Sequence, residues 1–207
     1  MFRDRWEAGE RLASALKEQA VTADIVLAVP RGGLPAGRAV ADALGIPLDI
    51  VVARKMGAPG NPELAIGAVA SDGSAWHNEA LIKQLGVDED YLEQVRRQEA
   101  AKARDKFDRY RGDRPDPDLT GKRVLIVDDG LATGATTVAC IRQAFSAGTA
   151  EVILAVPVAP PDSVRRLQEE ADRVIAVSTP ESFMAVGQFY ETFGQVSDEE
   201  AMGYLAQ

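Results

Sequence analysis

The stretch Val124-Leu-Ile-Val-Asp-Asp-Gly-Leu-Ala-Thr-Gly-Ala-Thr-Thr137 decides the fold. Four apolar residues with no polar alternation predict a strand buried on both faces, and the strand runs straight into two carboxylates, Asp128 and Asp129. Helical spacing resumes at Val138, Ile141, Arg142 and Phe145. The turn therefore lies where the carboxyl end of a strand meets the amino end of a helix, which is where open α/β sheets bind ligands.

Residue by residue, the turn suits a sugar phosphate. Gly134 permits a tight backbone path, and free N–H groups at a helix start, with the hydroxyls of Thr133, Thr136 and Thr137, favour a dianionic phosphate. Asp128 and Asp129 would repel a phosphate, so their use lies in accepting hydrogen bonds from sugar hydroxyls or in standing near a divalent cation. The plainer alternatives are a strand-turn-helix with a charged loop, or a nucleotide-binding Rossmann turn. No Walker sequence is present, and no G-x-G-x-x-G follows a strand.

A hydrophobic strand, two acidic residues and then Thr-Gly-x-Thr resembles the phosphoribosyl pyrophosphate (PRPP) motif of the type I phosphoribosyltransferases. The resemblance implies that Asp128 and Asp129 hold the ribose 2- and 3-hydroxyls, that Thr133, Gly134, Ala135, Thr136 and Thr137 wrap the 5-phosphate, and that Ala132 also lies in the PRPP-binding run. It also implies Mg²⁺ as cofactor, near Asp128 and Asp129, directly or through PRPP hydroxyls or water. In the enzymes of this family that use 6-oxopurines an aspartate precedes the Thr-Gly. Here that position is Ala132, and Ala135 stands where those enzymes commonly have lysine.

Upstream, Asp24 to Val29 predicts a second strand, followed by Pro30-Arg-Gly-Gly-Leu-Pro-Ala-Gly37 and a helix through Val40 and Leu44. Gly32 and Gly33 let backbone approach oxygen atoms, and Arg31 adds a bidentate donor. By the resemblance this is the pyrophosphate loop. Leu48 to Ala53 predicts a strand delivering Arg54 and Lys55, which the resemblance makes pyrophosphate ligands. Met56 to Glu63 is rich in Gly and Pro and reads as an irregular, mobile lid, with a strand returning over Leu64 to Ala70.

Further out, Asp4 with Glu7 suggests a capped first helix with an apolar stripe at Leu12, Ala13, Leu16 and Ala20. Asp88 to Arg109 is the longest helical pattern, and its mixed charges read as a solvated face. Glu151 to Pro157 and Arg173 to Ser178 predict two more strands, separated by a helix over Pro161 to Glu170. After them come Phe183, Phe189 and Tyr190, candidates to stack on a base or simply to pack. The loop Lys55 to Glu63 together with this tail resembles a group of phosphoribosyltransferase-like proteins for which no acceptor follows. His77, the only histidine, reads as surface or packing, and Cys140, the only cysteine, as a core thiol.

Alternating strands and helices predict an α/β fold: a doubly wound, mainly parallel sheet with flanking helices and a small hood. The 207 residues suit one phosphoribosyltransferase-like domain with core 24–178 and a hood segment at 179–207. A net charge of −9 and a pI near 4.7 argue against nucleic acid and acidic membranes, and no segment has a signal or spanning character. The expectation is a cytoplasmic homodimer that transfers ribose 5-phosphate from PRPP to a nucleobase-like acceptor and releases pyrophosphate. The catalytic residues would be Arg31, Arg54, Lys55, Asp128 and Asp129. The alternative is a regulatory protein that binds PRPP or a nucleotide without turnover.

Overall fold

The computed structural model describes residues 1–206. Five parallel strands, β1 (Ile25–Ala28), β2 (Leu48–Ile50), β6 (Arg123–Val127), β7 (Glu151–Val158) and β8 (Arg173–Ser178), form one sheet in the order β2-β1-β6-β7-β8. Side chains alternate across a strand, so each apolar run serves two cores. Val26, Leu125, Val127, Ile153 and Ala155 enter one cluster, while Leu27, Val124, Ile126, Val152 and Leu154 enter the other.

The first core is covered by α1 (Arg5–Glu18), α2 (Gly33–Leu44), the end of α4 (Glu89–Arg111) and α7 (Asp198–Ala206). The second is covered by α5 (Ala135–Ser146) and α6 (Pro161–Leu167). The doubly wound expectation is met. In α1 the Asp4 carboxylate accepts the Glu7 N–H at 2.8 Å, and Glu7 reaches back to the Arg3 N–H at 2.6 Å. The helix stops at Glu18, so Ala20 falls outside the stripe and is exposed. Gly9 lets α1 lie close on α2, since a methyl there would come within 2.6 Å of the Ala36 carbonyl oxygen.

The largest departure concerns residues 48–70. The predicted strand ends at Ile50, and Arg54 and Lys55 belong to β3 (Ala53–Ala58) of a separate antiparallel sheet with β4 (Asn61–Ala70) and β5 (Ala75–His77). The irregular lid expected over Met56 to Glu63 is therefore a β-hairpin with a two-residue turn at Pro59-Gly60. Its Gly and Pro build a bulge: the register slips on both sides of Gly57, and Pro62 falls in the slipped portion, where no ladder donor is needed. A side chain at Gly57 would meet the Pro62 Cα at 2.6 Å. Met56, Ala58 and Ile66 supply the apolar face that the composition hides, packing with Ile82 of α3 (Glu79–Leu85) and with Leu92 and Val95 of α4. Ala68 and Ala70 then dock the small sheet on Ala135 and Ala139 of α5.

The far end of α4 is tied to the main sheet by a buried ion pair. Arg111 donates through Nε and Nη2 to the two Asp49 carboxylate oxygens at 2.7 and 2.9 Å, and through Nη2 to the Pro115 carbonyl at 2.6 Å. Removing one partner leaves an uncompensated buried charge, which typically costs about 3–5 kcal/mol. Arg111→Met should lose stability of that order, read from the shift in denaturant midpoint. Asp49→Leu combined with Arg111→Met should recover most of it, because no unpaired charge remains.

Candidate active site

In the main sheet the chain reverses its direction of winding between β1 and β6, and at this switch point the loops after the two strands separate and leave a crevice. The loop after β1 is shorter than expected. Its residues are Val29, Pro30, Arg31 and Gly32, with a cis peptide at Pro30-Arg31, and α2 already begins at Gly33. The loop lies directly against the acidic turn. A methyl at Gly32 would overlap the Asp129 carboxylate, and one at Gly33 would come within 2.8 Å of the Val127 carbonyl oxygen. Backbone packing thus demands Gly33, and Gly32 leaves the Asp129 carboxylate where it stands.

Asp128 and Asp129 close the carboxyl end of β6, with the Asp129 N–H donating to Asp128 Oδ1 at 2.8 Å. Burial, and then the charge of Asp129, pushes the Asp128 carboxyl well above its usual range. Asp129 is also raised by burial, and the guanidinium of Arg5 works against that shift. Arg5 comes from the start of α1. Its Nε meets Asp129 Oδ2 at 2.7 Å with both side chains nearly buried, its Nη1 donates to the Gly194 carbonyl at 2.7 Å, and its guanidinium lies 3.8 Å from the Phe193 ring centre. Nothing in the sequence marks Arg5, because its partner lies 124 residues away.

The turn continues as predicted into α5. Gly134 is its left-handed cap at φ +68, and its carbonyl accepts the Val138 N–H at 3.0 Å. The first N–H groups of α5, from Ala135, Thr136 and Thr137, have no partner within the helix and face the turn. Ala132 and Thr133 are exposed, Thr136 is half-buried and Thr137 is buried. Ser163 of α6 pins the turn by donating to the Ala132 carbonyl at 2.6 Å.

Two clefts flank this turn. One is lined by Arg5, Arg31, Gly32, Asp128, Asp129 and Phe193. The other, of about 570 Å³, is lined by Arg54, Lys55, Glu63, Glu99, Lys102 and Thr136. Arg54 Nε donates to Glu99 at 2.6 Å, and Lys102 reaches the same carboxylate at 2.6 Å. Lys55 is exposed and forms no ion pair among the described residues. Glu99 and Lys102 lie on α4, whose charges had read as a solvated face.

The tail caps the acidic cleft. A short 3₁₀ helix (Val186–Phe189) brings Val186 against Gly130, and Phe2 bridges to Tyr190. Tyr190 is buried between Phe2 and Phe193, at ring distances of 5.4 and 4.9 Å, and its hydroxyl donates to the Asp129 carbonyl at 2.5 Å. The expectation that Tyr190 stacks on a base is therefore corrected: it has no open face and props the acidic pair. Phe183 and Phe189 pack on each other, with ring centres 5.1 Å apart, and stay half-buried. α7 lies outside any hood, with Ala201 and Leu205 in the first core. Cys140 is a core thiol, buried on α5 and raised by that burial.

Among the described residues no helix is long and apolar enough to cross a membrane, and no three His, Cys, Asp or Glu side chains converge as a metal-holding group. A phosphoribosyl transferase domain model matches residues 4–192. "Putative phosphoribosyl transferase Rv0571c" of Mycobacterium tuberculosis (strain H37Rv) is 41% identical over 205 residues, covering 99% of this chain and 46% of the relative. The chain thus spans about half the length of the curated relatives it matches. Among solved structures, TT1426 from Thermus thermophilus is 42% identical with a TM-score of 0.85, over 99% of this chain and 97% of that one. The purine phosphoribosyltransferase of Pyrococcus horikoshii, 20% identical with a TM-score of 0.52 over 95% and 97% of the two chains, shares the fold.

The raised Asp128 carboxyl has a consequence for stability. A folded-state value above the unfolded one, about 3.9, stabilises the protein at acid pH, and that contribution is lost as pH rises through the folded value. Above the folded value, or while the proton must be kept against a higher pH, the buried carboxyl costs stability. Asp128→Asn keeps the acceptor for the Asp129 N–H and removes the charge, so it should raise the melting temperature of the ligand-free protein at pH 7.5. At this chain length each kcal/mol is worth about 2–4 °C. The gain should shrink towards pH 4.5, and a variant that melts lower than wild type at pH 7.5 would contradict the assignment.

Proposed function

The chain belongs to the phosphoribosyl transferase family, and from that premise we propose that it transfers the 5-phosphoribosyl group of PRPP to a nitrogenous base or similar acceptor and releases pyrophosphate. One observation carries the reading. The turn at the switch point presents the Asp128 and Asp129 carboxylates to one cleft, which Arg5 and Arg31 also line, and borders a second cleft where Arg54, Lys55 and Lys102 outnumber Glu63 and Glu99. That polarity suits a substrate with a hydroxyl-bearing sugar at one end and a dianionic leaving group at the other.

In the proposed reaction a nitrogen of the acceptor bonds to ribose C1 as the C1–O bond to pyrophosphate breaks, and the acceptor's proton passes to solvent. Asp128 and Asp129 accept hydrogen bonds from the ribose hydroxyls, while Thr133, Thr136 and the free N–H groups of α5 receive the 5-phosphate. Arg31, Arg54 and Lys55 take up the negative charge that grows on pyrophosphate. Mg²⁺ fits this donor set: two adjacent carboxylates without a third protein ligand suit an ion that keeps water and leans on substrate oxygens. It would neutralise pyrophosphate charge. The chain's own part is to orient the sugar and to gather cations around the leaving group.

Two measurements test the proposal. Asp129→Ala removes hydroxyl acceptors worth on the order of 1–3 kcal/mol each, so PRPP affinity in the presence of Mg²⁺ should fall at least severalfold by calorimetry. A base panel monitored for pyrophosphate should give weak turnover with hypoxanthine and guanine, because Ala132 has no proton to exchange with the base and acid-base help is typically a factor of about 10² to 10⁴. Adenine and pyrimidines are the acceptors to try first. PRPP binding with no pyrophosphate release from any base would favour the non-catalytic, PRPP-sensing alternative.

A further inference from the structure

Three elements meet beside the Arg31 loop, and their charges do not balance. Arg31 Nη1 lies 3.5 Å from Asp198 Oδ1 at the start of α7, and Arg109 of α4 donates to the other oxygen of that carboxylate at 2.7 Å. The Tyr110 hydroxyl also donates to Asp198. One turn earlier on α4 stands Lys106, half-buried, its ammonium donating to the Pro30 carbonyl at 3.2 Å and lying 5.3 Å from the Tyr110 ring centre. Lys106 forms no ion pair among the described residues. Three cations (Arg31, Lys106, Arg109) against one carboxylate (Asp198) leave two positive charges in one small region of a chain whose net charge is −9.

A lysine serving only to cap the Pro30 carbonyl would be better placed away from other cations. Here burial, and then Arg31, lowers the Lys106 ammonium below its usual range, with Arg54 and Arg109 adding to the effect. Asp198 offsets this only in part, so the cluster has charge to spare for an anion. Arg31 points the same way, because it is held only at 3.5 Å and by an acid, Asp198, that is itself partly exposed. Pairs of that exposure are weak and readily displaced.

Resting on the phosphoribosyl transfer reading, we propose that the pyrophosphate site extends onto α4, with Lys106 as a direct pyrophosphate ligand and Asp198 as the internal acid that pyrophosphate displaces from Arg31. The helix then provides a wall of the leaving-group site, and α7 provides the group that occupies it when no anion is bound.

Calorimetric titration of the whole chain with inorganic pyrophosphate, and in parallel with ribose 5-phosphate, tests this. Lys106→Gln should weaken pyrophosphate about tenfold or more and leave ribose 5-phosphate unchanged, since a charge-assisted donor is lost only at the leaving-group end. Asp198→Asn should tighten pyrophosphate severalfold, a gain that misfolding cannot imitate. The proposal is overturned if Lys106→Gln binds pyrophosphate like wild type, if it loses both ligands equally, or if Asp198→Asn brings no gain. Wild-type protein that binds ribose 5-phosphate and not pyrophosphate overturns the α4 site alone. Wild-type protein that binds neither overturns the sugar-phosphate reading as well.

Discussion

Two adjacent carboxylates at the end of a strand buried on both faces are the constraint from which the rest of this structure follows. Burial disfavours the charged form of each, and the charge of Asp129 disfavours that of Asp128 further. The chain answers with pieces drawn from both of its ends. α1 supplies Arg5 as the counter-ion of Asp129, and the tail supplies Phe193 to hold that guanidinium and Tyr190 to brace the Asp129 carbonyl. Gly32 supplies empty space. The contact of Phe2 with Tyr190 then follows, since the segments that carry Arg5 and the tyrosine must lie side by side.

The cations that would offset an anionic ligand sit on a different layer. Arg54 and Lys55 ride on the hairpin, while Glu99, Lys102, Lys106 and Arg109 ride on α4, the helix that packs beneath it. The acidic pair is therefore fixed by the main sheet, whereas the basic cleft is set by how the small sheet docks on α5 through four alanines. Small residues at that seam allow close approach, Trp76 packs beside them, and Arg142 of α5 donates across the seam to the Ala75 carbonyl at 3.0 Å.

How far the sequence could be read follows from the range of each interaction. The main sheet was legible because a both-faces-buried strand has a local signature, and the turn after β6 was legible because the strand end, the acidic pair and the glycine cap are contiguous. The hairpin at residues 53–70 was not. Its Gly57 and Pro62 read as loop formers, and only pairing across the strands turns them into a bulge over a buried Met56. The same limit hid Arg5 and Lys106. Each is one basic residue on a helix with many charges, and its meaning comes from a partner 124 or 76 positions away. Tyr190 stayed open between stacking and packing for a related reason: an aromatic in a polar tail has no local mark that separates a stacking platform from a buried prop.

The acidity of the chain sharpens the electrostatic problem of holding a polyanion. At physiological ionic strength charges are screened over about 8 Å, so the net charge of −9 acts mainly on approach and the local arrangement decides binding. Locally, each arginine expected at the leaving group is already paired: Arg31 with Asp198, Arg54 with Glu99. Such pairing keeps the cations from repelling one another across a narrow cleft in the absence of ligand, and it orients their guanidinium groups. The Arg31–Asp198 contact is partly exposed and 3.5 Å long, whereas the Asp49–Arg111 pair that anchors α4 is buried and bidentate. That contrast separates the two uses of ion pairs in this protein, because a pair meant to be exchanged must be weak enough for an incoming anion to replace, and a pair meant to hold the helix in place must not be.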